Sequence, residues 1–382
     1  MCGLLVLAGC TTGQRPGNVK HVPNWERPEI VTPELVVPPQ PMPSPAPSIT
    51  PSNVLPSIVV PILTNRFPET WISLNRWSQS NGFGGLKRIS PATTPTFALT
   101  TPNGVLVIRV GSLLASWDGL EVRLGYAPQL IDTRPFVHTL DVRKNILPLI
   151  NNPAGFTKTN RVIVLDPGHG GQDAGATSVF NNHREKEFTL DWARRLEQLL
   201  ATNGWQVFLT RTSDREVSLT NRVAFAEQKK ADFFLSLHFN TPGGVGPEPA
   251  GLETYCLTPA GLPSTLTRDF PDDATQVFPN NEFDAQNLQF ASRLHRALIE
   301  TTGATDRGLR HARFMGVLRG QQRPAVLIEG GYLSNPREAD LIATPAYRQK
   351  LANAVALAVR EIAGGRPLAS DAPAAALATG AR

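Results

Sequence analysis

Three short apolar runs constrain this chain more than any other feature. They are Val162-Ile163-Val164-Leu165, Phe233-Phe234-Leu235-Ser236-Leu237 and Ala325-Val326-Leu327-Ile328. Each is short and continuous, with no polar residue at every second position. That is the pattern of a strand covered on both faces. Between the runs the apolar period changes. Phe188, Trp192, Leu196 and Leu199 are spaced four, four and three apart, one face of a helix. Gly204 is a helix stop, and Val207-Phe208-Leu209 reads as the next strand. Val217 to Gln228, Asn287 to Thr301 and Tyr347 to Ile362 read as further helices. Strands alternating with helices predict an α/β unit over residues 160–363, a mostly parallel twisted sheet with helices on both faces.

The remainder of the 382 residues divides by composition. Residues 67–150 carry short alternating segments and predict a small β-rich α+β domain. Val105 to Val110 reads as a strand, and Trp117-Asp118-Gly119 as a turn between Leu113–Ser116 and Glu121–Leu124. Trp71–Trp77 and Phe136–Val142 both read as a strand entering a short helix. Residues 13–66 read as a disordered linker. Twelve prolines lie between Pro23 and Pro61, and a proline-rich chain favours extended polyproline II at ~3.1 Å per residue. Residues 1–12 are apolar and end in Leu7-Ala8-Gly9-Cys10-Thr11. They resemble a bacterial lipoprotein signal in which Cys10 carries the lipid, with no Lys or Arg ahead of the apolar run. Thr11 in place of an acidic residue leans toward the outer membrane. The tail 364–382 is alanine-rich and reads as disordered. No run of 18 apolar residues exists, so no conventional transmembrane helix is expected. The net charge of +5 is mildly basic, with no Lys/Arg cluster to suggest nucleic acid. Of three cysteines, Cys2, Cys10 and Cys256, none forms a Cys-x-x-Cys pair, which disfavours a thiolate zinc site. Cys256 reads as a core thiol.

Chemistry concentrates at the ends of the apolar runs. His169 follows the first run within Asp166-Pro167-Gly168-His169-Gly170-Gly171, and His238 ends the second. Glycines beside a histidine let the backbone turn sharply and a ligand approach closely. Glu185 and Glu329 lie in segments able to reach the same edge. Two imidazoles and a carboxylate, with a second carboxylate nearby, form the ligand and base set of a hydrolytic zinc site. His183 and Glu187 flank Glu185 and compete with it as helix-start charges. Asp166 reads either as a partner holding the His169 ring or as a residue of the turn. Arg211 and Arg222 read as structural. Arg319 reads equally as a substrate contact or a structural clamp, and Asn240 as a loop-fixing group. His138 is the only histidine of residues 67–150 and reads as structural. The long stretch Pro259 to Asp284 either shapes a groove or occludes the site.

Asp166 to Ala176, Arg184-Glu185-Lys186-Glu187, Leu209-Thr210-Arg211, Ser236-Leu237-His238-Phe239-Asn240 and Ile328 to Asn335 follow an order that resembles the zinc-dependent N-acetylmuramoyl-L-alanine amidases of the amidase-3 type. The resemblance implies zinc ligands at His169, Glu185 and His238 and a catalytic glutamate at Glu329. It extends to Arg319 and Asn240 as substrate-side residues. It also implies peptidoglycan as the partner, the muramoyl–alanine amide as the bond cut, and an envelope location on the periplasmic side. Residues 67–150 resemble the copper amine oxidase N-terminal-like stalk attached to cell-wall enzymes. Two other expectations are a zinc peptidase acting on the stem peptide and a catalytically silent wall-binding protein.

Overall fold

The computed structural model describes residues 70–90, 94–151, 156, 160–241, 249–266 and 272–364. The signal-like start with Cys10, the proline-rich linker and the tail beyond Gly364 lie outside the described residues. The N-terminal part runs β1 (Trp71–Ser73), α1 (Leu74–Ser80), β2 (Leu86–Arg88), β3 (Thr96–Thr101), β4 (Gly104–Arg109), β5 (Leu114–Trp117), β6 (Leu120–Arg123), β7 (Gln129–Ile131) and β8 (Arg134–His138). A continuous helical stretch follows: α2 (Thr139–Asp141), a π-helical turn (Val142–Ile146) and α3 (Leu147–Ile150). The second part runs β9 (Val162–Pro167), α4 (Glu185–Thr202), β10 (Gln206–Leu209), α5 (Leu219–Gln228), β11 (Phe233–Asn240) and β12 (Leu252–Cys256). After a 3-10 turn (Pro279–Phe283) come α6 (Asp284–Thr302), β13 (Asp306–His311), α7 (Gly316–Arg319), β14 (Ala325–Tyr332), α8 (Pro336–Ala343) and α9 (Pro345–Gly364).

The apolar runs become central strands for the expected reason. Side chains alternate across a strand, and both faces of this sheet are covered. Ile163, Leu165, Phe233, Leu235, Leu237 and Ile328 pack with Trp192 and Leu196 of α4, Leu294 of α6 and Leu351 of α9. Val162, Val164, Phe234 and Leu327 pack on the opposite face with Ala226 of α5 and Leu318 of α7. Each buried Leu, Val or Phe is worth about 1.5–3 kcal/mol, so a charged residue inside such a run must be fully partnered to persist. Asp166 meets that condition.

Strand order is β10-β9-β11-β14-β12-β13-β6-β5-β4-β3-β2 in one sheet and β1-β8-β7 in a second. β10, β9, β11 and β14 are mutually parallel, as expected. β12 departs from the mostly parallel expectation: it is antiparallel to β14, and β13 is parallel to β12. Only residues 241–251 separate β11 from β12. That is too few for the helical crossover a parallel return requires.

The N-terminal strands do not stand apart as a separately layered unit. β6 joins β13 through Leu309 and Val122, so the antiparallel meander β2–β6 extends the α/β sheet. Trp77, Leu99, Leu106 and Val122 belong to the same core as Trp192 and Leu351. The two strand-to-helix segments, Trp71–Trp77 and Phe136–Val142, meet each other: β1 and β8 pair antiparallel. The β5–β6 turn forms with Asp118 and Gly119 at φ 47° and 84°, the left-handed pair that a two-residue hairpin favours. His138 is structural: it is buried and accepts the Leu140 N–H at the start of α2.

Candidate metal centre

Running from β10 to β14, the chain turns back on itself between β9 and β11: the connection from β9 leads to one side and β11 lies on the other. Open α/β sheets bind ligands at the carboxyl ends of strands at such a switch point. His169 sits just beyond the end of β9, and His238 lies near the end of β11. The Gly168 N–H donates to the Leu237 carbonyl at 3.0 Å, which carries the β9–β11 ladder to the level of both histidines.

His169 adopts φ +62°, a strained conformation for a residue with a Cβ. Two buried arginines hold it there. Arg211 donates to the Pro167 and Gly168 carbonyls at 3.0 and 2.8 Å. Arg222 donates to the Pro167 and His169 carbonyls at 3.0 and 2.8 Å. Both are structural, as expected. Asp166 does not touch the His169 ring. It accepts from Thr210 (2.6 Å), Arg222 (2.6 Å) and Ser236 (2.8 Å), and so anchors the turn to β11 and α5. Burial raises its carboxyl's pKa, but Arg222 and the two hydroxyls overcome this and hold it below the usual range. The ring is held instead by Asp173, whose carboxylate accepts from Nδ1 at 2.9 Å. In the neutral, ligand form of the ring this leaves Nε2 as the lone-pair nitrogen. Asp173 was legible only as part of the glycine-rich motif, because contact at i+4 within an irregular loop has no periodic signature.

Glu185 is the first residue of α4, where a negative charge suits the helix dipole, and it is 3% exposed. A bridge between Thr177 and Arg184 closes the preceding loop and turns it inward. Its Oε2 accepts the Ala176 N–H at 2.9 Å and lies 3.0 Å from His169 Nε2. Its Oε1 accepts the Phe239 N–H at 3.0 Å and lies 2.9 Å from His238 Nδ1. The flanking candidates separate from it: His183 and Glu187 are about half exposed and bond to each other at 2.8 Å.

One ligand atom from each of His169, Glu185 and His238 lies within 4.8 Å of the others. Burial disfavours a charged His169 ring, but Glu185 and Asp173 outweigh it and raise its pKa to about 9. Burial pushes the Glu185 carboxyl upward; the two histidines overcome this and hold it far below the ordinary carboxylate range. Burial pushes the His238 ring down. The buried Nε2 of His169 has no hydrogen-bond partner among the described residues despite its closeness to Glu185. An orphaned imidazole nitrogen facing a carboxylate and a second imidazole is a donor set suited to a divalent zinc ion. Leu219 of α5 and Val317 of α7 line the cavity over His169 and His238.

Glu329 is 2% exposed on β14, in register with His238 of β11. Asn240 donates its amide to Glu253 at 2.8 Å, and its carbonyl oxygen accepts the Thr241 N–H. Arg319 donates to the Arg313 carbonyl at 2.8 Å and lies over the Phe278 ring. None of the described residues of 259–284 lines the cavity at His169. Leu262 and Pro263 lie instead against Gly125, and the Gly261 carbonyl accepts from the Tyr126 hydroxyl. Cys256 is buried, and burial pushes its thiol up, as befits a core residue. Sequence reasoning missed Glu253, a buried carboxylate on β12 in register with Glu329. Its signal was a lone charge inside the strand-like run Leu252 to Leu257.

A family model described as N-acetylmuramoyl-L-alanine amidase matches residues 163–361. The N-acetylmuramoyl-L-alanine amidase CwlM of Bacillus licheniformis is 35% identical over 193 residues, covering 50% of this chain and 64% of that protein. AmiA of Escherichia coli (strain K12) is 30% identical over 217 residues, covering 51% of this chain and 74% of that protein. The catalytic domain of CwlV from Bacillus (Paenibacillus) polymyxa var. colistinus is 31% identical, with a TM-score of 0.44, over 54% of this chain and 99% of that chain. The chain thus spans just under two thirds of the length of the Bacillus licheniformis relative.

Proposed function

The chain belongs to the N-acetylmuramoyl-L-alanine amidase family, and from that membership we propose that it hydrolyses the amide between N-acetylmuramic acid and L-alanine in peptidoglycan. The observation that carries this reading is the meeting of His169, Glu185 and His238 inside the matched segment. These residues would hold zinc. When bound, zinc supplies polarisation of a carbonyl and lowers the pKa of water toward ~7. Asp173 fixes the tautomer and orientation of His169. Glu329 takes the proton of the attacking water and delivers it to the departing amine as the C–N bond breaks. Its support is its burial at the catalytic edge beside His238. Asn240 and Arg319 serve on the substrate side, Asn240 two residues beyond His238 on the same strand.

We infer further that the enzyme works in the cell envelope, on the periplasmic side, tethered through Cys10. The support is the lipoprotein-like start and the proline-rich tract after it. Among the described residues no helix is long and apolar enough to cross a membrane. Residues 67–150 act as a stalk-like accessory segment, a reading supported by their run of short alternating apolar segments.

Digestion of purified peptidoglycan, read by mass spectrometry, tests the reading. The expected products are glycan with free lactyl carboxyls and intact peptides beginning in L-alanine. Chelator should stop their release and added zinc should restore it. Shortened peptides on an intact muramoyl amide would identify a stem-peptide peptidase instead. Retention on the wall without any product would identify a binding protein.

A further inference from the structure

The reversal of β12 has a chemical consequence at the edge that carries Glu329. Because β12 is antiparallel to β14 and β13 is parallel to β12, both strands begin at the edge where β9, β11 and β14 end. Glu253 of β12 and Arg307 of β13 therefore extend the row His238–Glu329 outward along the sheet.

Glu253 is 1% exposed and fully partnered. Its Oε1 accepts from Arg307 Nε at 2.9 Å and lies 3.0 Å from Arg310 Nη2. Its Oε2 accepts from Asn240 Nδ2 at 2.8 Å and from the Tyr255 hydroxyl at 2.9 Å. Two arginines share this one carboxylate. Arg310 is buried, whereas the Arg307 side chain is 30% exposed. The Arg307 guanidinium lies 5.2 Å over the ring of Tyr332, which stacks it in one orientation. On the neighbouring β6, Arg123 lies opposite Glu121 at 3.6 Å, so that pair brings its own counter-charge.

We propose that Arg307, held in place by Glu253 and Tyr332, is a specificity-determining residue that binds a carboxylate of the peptide substrate. Resting on the amidase reading, this assigns the distance as well as the charge. β13 lies two strands from β14, roughly 10 Å at ~4.8 Å per strand. An extended peptide covers about 3.3–3.6 Å per residue. The carboxylate recognised is thus borne about two to three residues beyond the scissile amide. A guanidinium already fixed by packing and a hydrogen bond loses little entropy on binding, and a carboxylate presents the planar acceptor it matches.

The test uses a matched pair of N-acetylmuramoyl peptides, one with a free carboxylate at that distance and one with the carboxylate amidated. For the wild type, KM should be about tenfold higher for the amidated peptide, with kcat within about twofold. Arg307→Gln should erase the difference, and Arg307→Lys should retain part of it. Equal KM values for the wild type would overturn the proposal, as would full discrimination in Arg307→Gln. So would an Arg307→Gln pH–rate profile displaced equally on both peptides, because the cluster would then serve Glu329 rather than substrate. Calorimetric binding of the two peptides to the Glu329→Gln protein separates this inference from its premise. Discrimination in Kd without wild-type cleavage would refute the amidase reading and leave the carboxylate site standing. Cleavage with equal Kd values would do the reverse.

Discussion

Gly168 and Gly175 are the positions where one added methyl group disturbs the metal centre most. A Cβ on Gly168 would lie 2.2 Å from the His238 ring, and one on Gly175 would lie 2.6 Å from both Glu185 and His169. Gly175 is also at φ +67°, where a side chain is strained. Gly168→Ala should therefore weaken zinc affinity by about tenfold or more, as loss of a group that orients ligands does. Competition with a chromogenic chelator checks this, and unchanged affinity would refute the packing argument. Glu329 and His169 should separate by role. Glu329→Ala should keep its metal while kcat falls by about 10²–10⁴; His169→Ala should lose both. Metal analysis alongside muropeptide release measures the two together, and near-wild-type turnover in Glu329→Ala would remove it from the mechanism.

Among the elements, β9, β11 and β14 were readable in advance because a strand buried on both faces must be apolar at every position. α4, α6 and α9 were readable from their period. β13 was not: Asp306-Arg307-Gly308-Leu309-Arg310-His311 is mostly polar. Its charges are satisfied by partners distant in sequence, Glu253 for the arginines and His295 for Asp306. His311 ends that strand 2% exposed. Burial, with a smaller push from Arg313, lowers its pKa to about 4. The unfolded ring titrates near ~6.5, so between the two values the unfolded chain binds the extra proton. The stability from a neutral His311 is therefore complete above pH ~6.5 and is lost as pH falls through about 4, a change on the order of 3 kcal/mol. Urea melts from pH 7 to 4 should show His311→Asn losing distinctly less stability than the wild type. Parallel slopes would mean the ring does not stay neutral on folding.

In the molecule as a whole, the antiparallel meander and the α/β unit share one sheet and one core. Polar ties reinforce the junction: the Glu121 N–H donates to Asp306 at 2.8 Å, Lys144 pairs with Asp284 at 2.9 Å, and Gln289 donates to the Pro148 carbonyl at 3.0 Å. Unfolding should accordingly be cooperative across both parts. In hydrogen exchange through a urea series, peptides from β4–β5 and from β11 should lose protection together. Two separated midpoints would show that the β6–β13 junction is weak. Local rules, with the family resemblance, were enough to read the α/β class and the cluster of His169, Glu185 and His238, because burial on two faces and a glycine-framed histidine each leave a contiguous trace in the chain. The reversed β12, the charge hub at Glu253 and the continuation of the sheet into β6 depend on groups tens to hundreds of residues apart. Pairing at such distances is decided by which strand edge remains open and which buried charge still lacks a counter-charge once the core has closed, and no local pattern encodes either.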